Sequence, residues 1–225
     1  MNPLFAPLDI YCERLDAGFW SEPVNALTNV LVVAAGLFGF AQVQRRETGL
    51  YAAILCWWVV VIGLGSLLFH TTAIELTKWA DILPIATFTL ALALFCLRRF
   101  ARLSWARAIA YFLIFFASIS VITYFLPPWL ARATNGTTAY LPALAGFLFF
   151  GLVALVRGSR AGWYAISCAL ILCLAFFFRS VDQAVCASFP LGTHFMWHLL
   201  IAAMLGVMLT AVAKYGHPEP GQPLR

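Results

Sequence analysis

Apolar residues fall in long runs, each close to the roughly 20 residues a transmembrane helix requires, and the polar residues gather in short gaps between them. Seven spans follow from this pattern, at residues 22–42, 50–70, 80–97, 105–125, 140–156, 162–178 and 191–213. The pattern predicts an all-α integral membrane protein built as a seven-transmembrane helix bundle. Residues 22–213 would form the bundle domain, 1–21 an acidic N-terminal segment, and 214–225 a cytoplasmic tail rich in Pro and Gly and without order. The gaps are short and no internal repeat stands out, so one bundle is expected rather than two.

The charges in the gaps orient the bundle. Arg45 and Arg46 follow span one, Arg98, Arg99 and Arg102 follow span three, and Arg107 lies just inside span four. Arg157 and Arg160 follow span five, and Lys214 and Arg225 follow span seven. The opposite gaps hold Arg14, Lys78, Arg132 and Arg179, diluted by Asp9, Glu13, Asp16, Glu75 and Asp182. The positive-inside rule then puts the N-terminus outside and the C-terminus in the cytoplasm, as an odd number of spans requires. Such a chain would be multi-pass in the inner or plasma membrane of a bacterium, or in a eukaryotic endomembrane.

Composition agrees with the pattern. Of 225 residues, 63% are hydrophobic and 10% charged, whereas a soluble domain carries about 25% charged residues. The net charge of +5 does not point to nucleic acid, because the basic residues sit in the short gaps. The first residues carry Asp9, Glu13, Arg14 and Asp16 with no apolar core, so a cleavable signal peptide is not expected.

The candidate chemistry lies at one end of this bundle. His194 and His198 are four apart at the start of span seven, which stacks their side chains roughly 5–6 Å apart on one helix face. Ionisable groups inside a membrane segment are costly and mark functional sites. Span two ends in Ser66 and His70, span three carries Asp81 in its first turn, and span one opens with Glu22, Asn25, Thr28 and Asn29. With alternating span directions, all of these reach the same outer depth. A single histidine there would be an ordinary interfacial residue. Three histidines leave a fourth position open for water, as catalytic zinc sites do. Ser66 sits one turn before His70, and Asp81 is placed to act as a general base or to orient a ligand histidine. The fourth histidine, His217, reads as a solvated tail residue.

Ser66-x-x-x-His70, Asp81-x-x-Pro84 and His194-x-x-x-His198, with Tyr11-Cys12-Glu13 and Glu22-Pro23-Val24-Asn25-Ala26-Leu27-Thr28-Asn29 ahead of them, resemble the alkaline ceramidase family. That family lies in a wider CREST-type superfamily of seven-span hydrolases, alongside the adiponectin and progestin receptors. The resemblance implies an intramembrane zinc amidase that cleaves the N-acyl bond of ceramide into a sphingoid base and a fatty acid. By carry-over, His70, His194 and His198 match the zinc ligands, Asp81 the water-activating residue, and Ser66 a hydrogen-bond donor to water or oxyanion. The resemblance also implies calcium, with Glu13 and Glu22 matching side-chain ligands, Tyr11 a backbone-carbonyl ligand, and Asp16 a candidate for the remaining position. This chain departs from the family pattern at Ile10, where the family has an aspartate, with Asp9 one residue earlier. Its loop from Glu13 to Glu22 is also shorter. On chemistry alone, Asp9, Glu13, Asp16 and Glu22 could supply several of the six to eight or so oxygens calcium takes, or could form a solvated acidic loop.

Among the six cysteines, Cys56, Cys96, Cys168 and Cys173 fall inside apolar runs and read as small buried hydrophobes. Cys12 and Cys186 both map to the outer face, where a disulfide between them is expected. Arg179 and Asp182 read as an ion pair at the end of span six. Asn135-Gly136-Thr137 fits a glycosylation sequon to which no function is attached. The leading functional expectation is a hydrolase acting on a membrane lipid amide, ceramide or a related N-acyl lipid. A receptor or sensor with a structural zinc clamp is the alternative. A transporter fits less well because the polar groups occupy one end only, and two axial haem ligands one turn apart could not face each other.

Overall fold

The computed structural model describes residues 2–217, and the regular elements among these are helices apart from an isolated bridge between Pro7 and Ile74. Residues 218–225, most of the tail read above as lacking order, lie outside the described residues. The helices are α1 Pro23–Arg45, α2 Leu50–Thr72, α3 Glu75–Arg99, α4 Trp105–Tyr124, α5 Pro128–Ala133, α6 Leu141–Val156, α7 Ala161–Val185 and α8 His194–Tyr215. A 3-10 turn at Thr137–Tyr140 extends α6 into a 20-residue span, Thr137–Val156. With it, seven helices among the described residues are long and apolar enough to cross a membrane. At 1.5 Å per residue, 20 to 25 residues reach about 30–38 Å, against a hydrocarbon core of about 30 Å. The short α5 needs no depth, because it lies between spans.

Apolar residues face outward as well as into the core, unlike those of a soluble bundle. Leu113, Ile114 and Val121 of α4 and Leu170 of α7 face outward, and α4 buries only Ala108. Lipid tails accept such a surface as readily as a protein core would, so close packing rather than the hydrophobic effect must hold the helices together. α1 packs against α2 and α8, α8 against α7, α7 against α6 and α2 against α3, while α4 leans on α3. Small residues set these approaches. A Cβ on Gly36 of α1 would lie 2.9 Å from the Cys56 carbonyl oxygen of α2. One on Gly65 of α2 would run into the Ala80 carbonyl oxygen of α3, so these helices meet closely beside Ser66 and Asp81.

Three details differ from the hydropathy reading. α3 begins at Glu75 rather than near 80, so Asp81 sits in its second turn. The polar turn is helical because the Thr77 hydroxyl accepts from the Ile74 N–H at 3.3 Å and Lys78 pairs with Glu75 at 2.5 Å. α7 runs on to Val185, carrying Arg179 and Asp182 inside the helix. A hydropathy reading ends a span at its first charge, but Asp182 is buried among backbone donors and does not terminate the helix. Cys173 is exposed on the outer face of α7 rather than buried. His217 is exposed, whereas the side-chain nitrogen of Asn135 in the sequon is buried.

Candidate active site

The end of α2 and the start of α8 bring His70, His194 and His198 together, with one potential ligand atom from each within 4.8 Å of the others. All three are at least 97% buried, at 1%, 1% and 3% exposure. Ring centroids are 4.7 Å apart for His70 and His198, 4.6 Å for His194 and His198, and 5.3 Å for His70 and His194. The second and third rings stand nearly perpendicular, at 76°.

The surroundings engage Nδ1 in two of the rings. His70 Nδ1 lies 2.6 Å from Oε2 of Glu22, a carboxylate that can only accept. Nδ1 therefore carries a hydrogen, and Nε2 is the nitrogen left for a metal. The Thr28 hydroxyl donates within its own helix to the Val24 and Asn25 carbonyls, at 2.8 and 3.0 Å. Its oxygen also lies 3.0 Å from His198 Nδ1, so this contact engages Nδ1 rather than Nε2. Nδ1 of His194 is buried with no hydrogen-bond partner among the described residues. Imidazoles with free lone pairs and carboxylate or hydroxyl support behind them are what a metal ion requires. The three-nitrogen donor set suits zinc, copper, iron or nickel rather than calcium or magnesium.

Asp81 and Ser66 line the same small pocket as His194 and His198, together with Asn29 and Arg179. Oδ1 of Asp81 is buried and unpartnered, so it is free to take a proton. Arg179 does not pair with Asp182. Its guanidinium packs at 5.1–5.5 Å over the rings of Tyr11, Tyr140 and Trp197 and donates from Nε to the Asn135 carbonyl at 3.2 Å. Asp182 instead organises the start of α8. Its Oδ1 accepts from the Thr193 and His194 N–H groups at 2.7 and 2.9 Å, and Oδ2 from the Cys12 N–H at 3.1 Å. The Thr193 and His194 N–H groups are donors that a helix N-terminus leaves open. Spacing suggested a local pair for Arg179 and Asp182, and only the fold reveals their separate partners. Ile62, Ile85, Tyr140 and Trp197 line both the small pocket and a largely apolar cavity of ≈ 160 Å³.

The N-terminal segment closes over this end. Cys12 and Cys186 form a disulfide with Cα atoms 5.3 Å apart, and the Tyr11 ring stacks on His194 at 3.6 Å and 11°. The geometry does not fit a calcium ion. Glu13 accepts from the Val24 and Asn25 N–H groups at 2.6 and 2.8 Å, which ties its two oxygens to the start of α1. Glu22 divides its oxygens between Arg14, at 2.6 Å, and His70. The Tyr11 carbonyl accepts from the Arg14 N–H at 3.2 Å. Asp16 accepts from the Gly18 N–H at 2.7 Å and from the Ser21 hydroxyl, and Asp9 is exposed. Burial pushes the Glu13 carboxyl above its ordinary range, partly offset by the two backbone N–H groups. The Ser21 and Gly18 hydrogen bonds hold that of Asp16 below its ordinary range.

Sequence reasoning had placed Glu22 and Tyr11 around a second cation. The structure uses both to support the histidines, Glu22 by hydrogen bond and Tyr11 by stacking. The depth argument put Glu22 at the same outer end as His70, and that was the signal available. Among curated proteins, none matches the chain. The family model described as Ceramidase matches residues 11–222, nearly the whole chain, and with the bundle and its histidine cluster this places the protein in the ceramidase family.

Proposed function

We propose that this ceramidase-family hydrolase is an intramembrane zinc-dependent amidase that cleaves an N-acyl sphingolipid, ceramide or a close relative, into a sphingoid base and a fatty acid. The observation carrying the proposal is the convergence of three buried imidazoles beside Asp81, which lines the same pocket as His194 and His198 and has one carboxylate oxygen without a partner among the described residues. Zinc held by His70, His194 and His198 would polarise the acyl carbonyl and lower the pKa of a water to about 7. Asp81 takes a proton from the attacking water and passes it to the amide nitrogen as the carbon–nitrogen bond breaks. Ser66 donates a hydrogen bond to the developing oxyanion. The second water proton follows onto the released amine, so the products are a carboxylate and an ammonium, and atoms and charge balance.

The remaining residues position and exclude. Glu22 and Thr28 fix two imidazoles, and Asp182 fixes the turn that carries His194. Trp197 and Tyr140 line both the polar pocket and the apolar cavity, which has the character to receive an acyl chain. The substrate enters from the bilayer, with its amide at headgroup depth on the side the positive-inside rule makes outer. A receptor with a structural metal would not need an unpartnered carboxylate beside it.

The deciding experiment is lipid mass spectrometry after incubating the purified protein with N-acyl sphingosine. Release of base and acid that a chelator stops and zinc restores is the expected result. Binding without turnover, or turnover indifferent to the chelator, would overturn it.

A further inference from the structure

The acidic N-terminal segment encloses a cation of its own. Side chains of Arg14 and Glu22 are 2% and 1% exposed, and Nε of Arg14 lies 2.6 Å from Oε1 of Glu22. The other oxygen of the same carboxylate meets His70 Nδ1 at 2.6 Å, with Asn25 Nδ2 at 3.3 Å. Nη1 of Arg14 donates to the Asp16 carbonyl at 3.0 Å, and its backbone N–H to the Tyr11 carbonyl at 3.2 Å. The oxygens that a divalent cation would collect from this segment thus have partners within the chain: the Arg14 guanidinium holds Glu22, the Arg14 backbone N–H holds the Tyr11 carbonyl, the start of α1 holds Glu13, and Gly18 and Ser21 hold the Asp16 carboxylate.

We propose that Arg14 is a positioning residue of the metal centre, supplying from within the chain the positive charge that holds Glu22 against His70, so that the centre assembles without calcium. The proposal rests on reading the three histidines as a zinc site. A carboxylate buried this deeply needs a compensating charge, and removing one member of such a pair is strongly destabilising. A guanidinium is charged at every relevant pH and presents its donors in a fixed plane. The carboxylate it anchors then sets both the tautomer and the ring orientation of His70, as carboxylates behind metal-bound histidines do. Coupling runs from Arg14 through Glu22 to His70, and the presence or absence of free calcium does not enter.

The test uses the purified full-length protein and reads metal binding rather than turnover, so it is decided separately from the amidase reading. Zinc affinity is measured by chelator competition, and the ligand field by the visible spectrum of the cobalt-substituted protein. Melting temperature is followed with added calcium chloride and with a calcium-selective chelator. The wild-type protein is expected to melt at one temperature in both conditions and to bind no stoichiometric calcium. Arg14→Met is expected to lose about 10- to 100-fold in zinc affinity, with a shifted cobalt spectrum, and Arg14→Lys to recover part of the affinity. Stoichiometric calcium binding that raises the wild-type melting temperature would overturn the proposal, as would an Arg14→Met protein with unchanged zinc affinity and cobalt spectrum. The calcium measurements need only wild-type protein, so they stand even if Arg14→Met does not fold.

Discussion

Glu22 and His70 lie 2.6 Å apart, each 1% exposed, joining the residue before the first span to the last turn of the second. This contact makes His70 a directed ligand. Replacing Glu22 by Gln removes the charge but keeps the shape, and His70 then loses its carboxylate acceptor. Zinc affinity is expected to fall about 10- to 100-fold, measured by chelator competition, with hydrolysis falling in step and returning at high zinc.

The three histidines should behave as one unit. Alanine at His70, His194 or His198 leaves two nitrogens, too few for the site. Each variant is expected to lose bound metal by elemental analysis and hydrolysis by lipid mass spectrometry. Retention of full turnover in His198→Ala would remove the metal-centre reading.

Asp81 should separate chemistry from binding. Asp81→Asn keeps the volume and removes the proton acceptor, while the metal ligands stay in place. Metal content is expected to stay at the wild-type level, while kcat falls by about 10²- to 10⁴-fold, the usual worth of a positioned base.

Asp182 serves the site without facing it. Asp182→Ala strips acceptors from the backbone N–H groups of Thr193, His194 and Cys12 at once. Each buried donor left unmade costs about 1–3 kcal/mol. A clear drop in melting temperature is expected, larger than for a substitution on the outward face of α4.

The disulfide can be counted directly. Thiol titration of denatured protein should find four free thiols, those of Cys56, Cys96, Cys168 and Cys173, and six after reduction. Cys12→Ser is expected to lower the melting temperature, because the bridge anchors the segment that places Tyr11 over His194.

Hydropathy by itself determined the seven spans, because a bilayer requires about 20 apolar residues per crossing and the chain offers seven such runs. Alternating span direction then placed His70, Asp81, His194 and His198 at one depth, since parity along a bundle follows from span number alone. The partners of the charges could not be read this way. Arg179 and Asp182, one helical turn apart, looked like a local pair, yet one packs among three rings and the other accepts N–H groups from the chain's beginning and from α8. Glu22 looked like a ligand for a second metal, yet Arg14 and His70 share it. A buried charge is matched by whatever group the packing brings within reach. Cys12 and Asp182 stand 170 positions apart in sequence, so only the tertiary structure could decide that match.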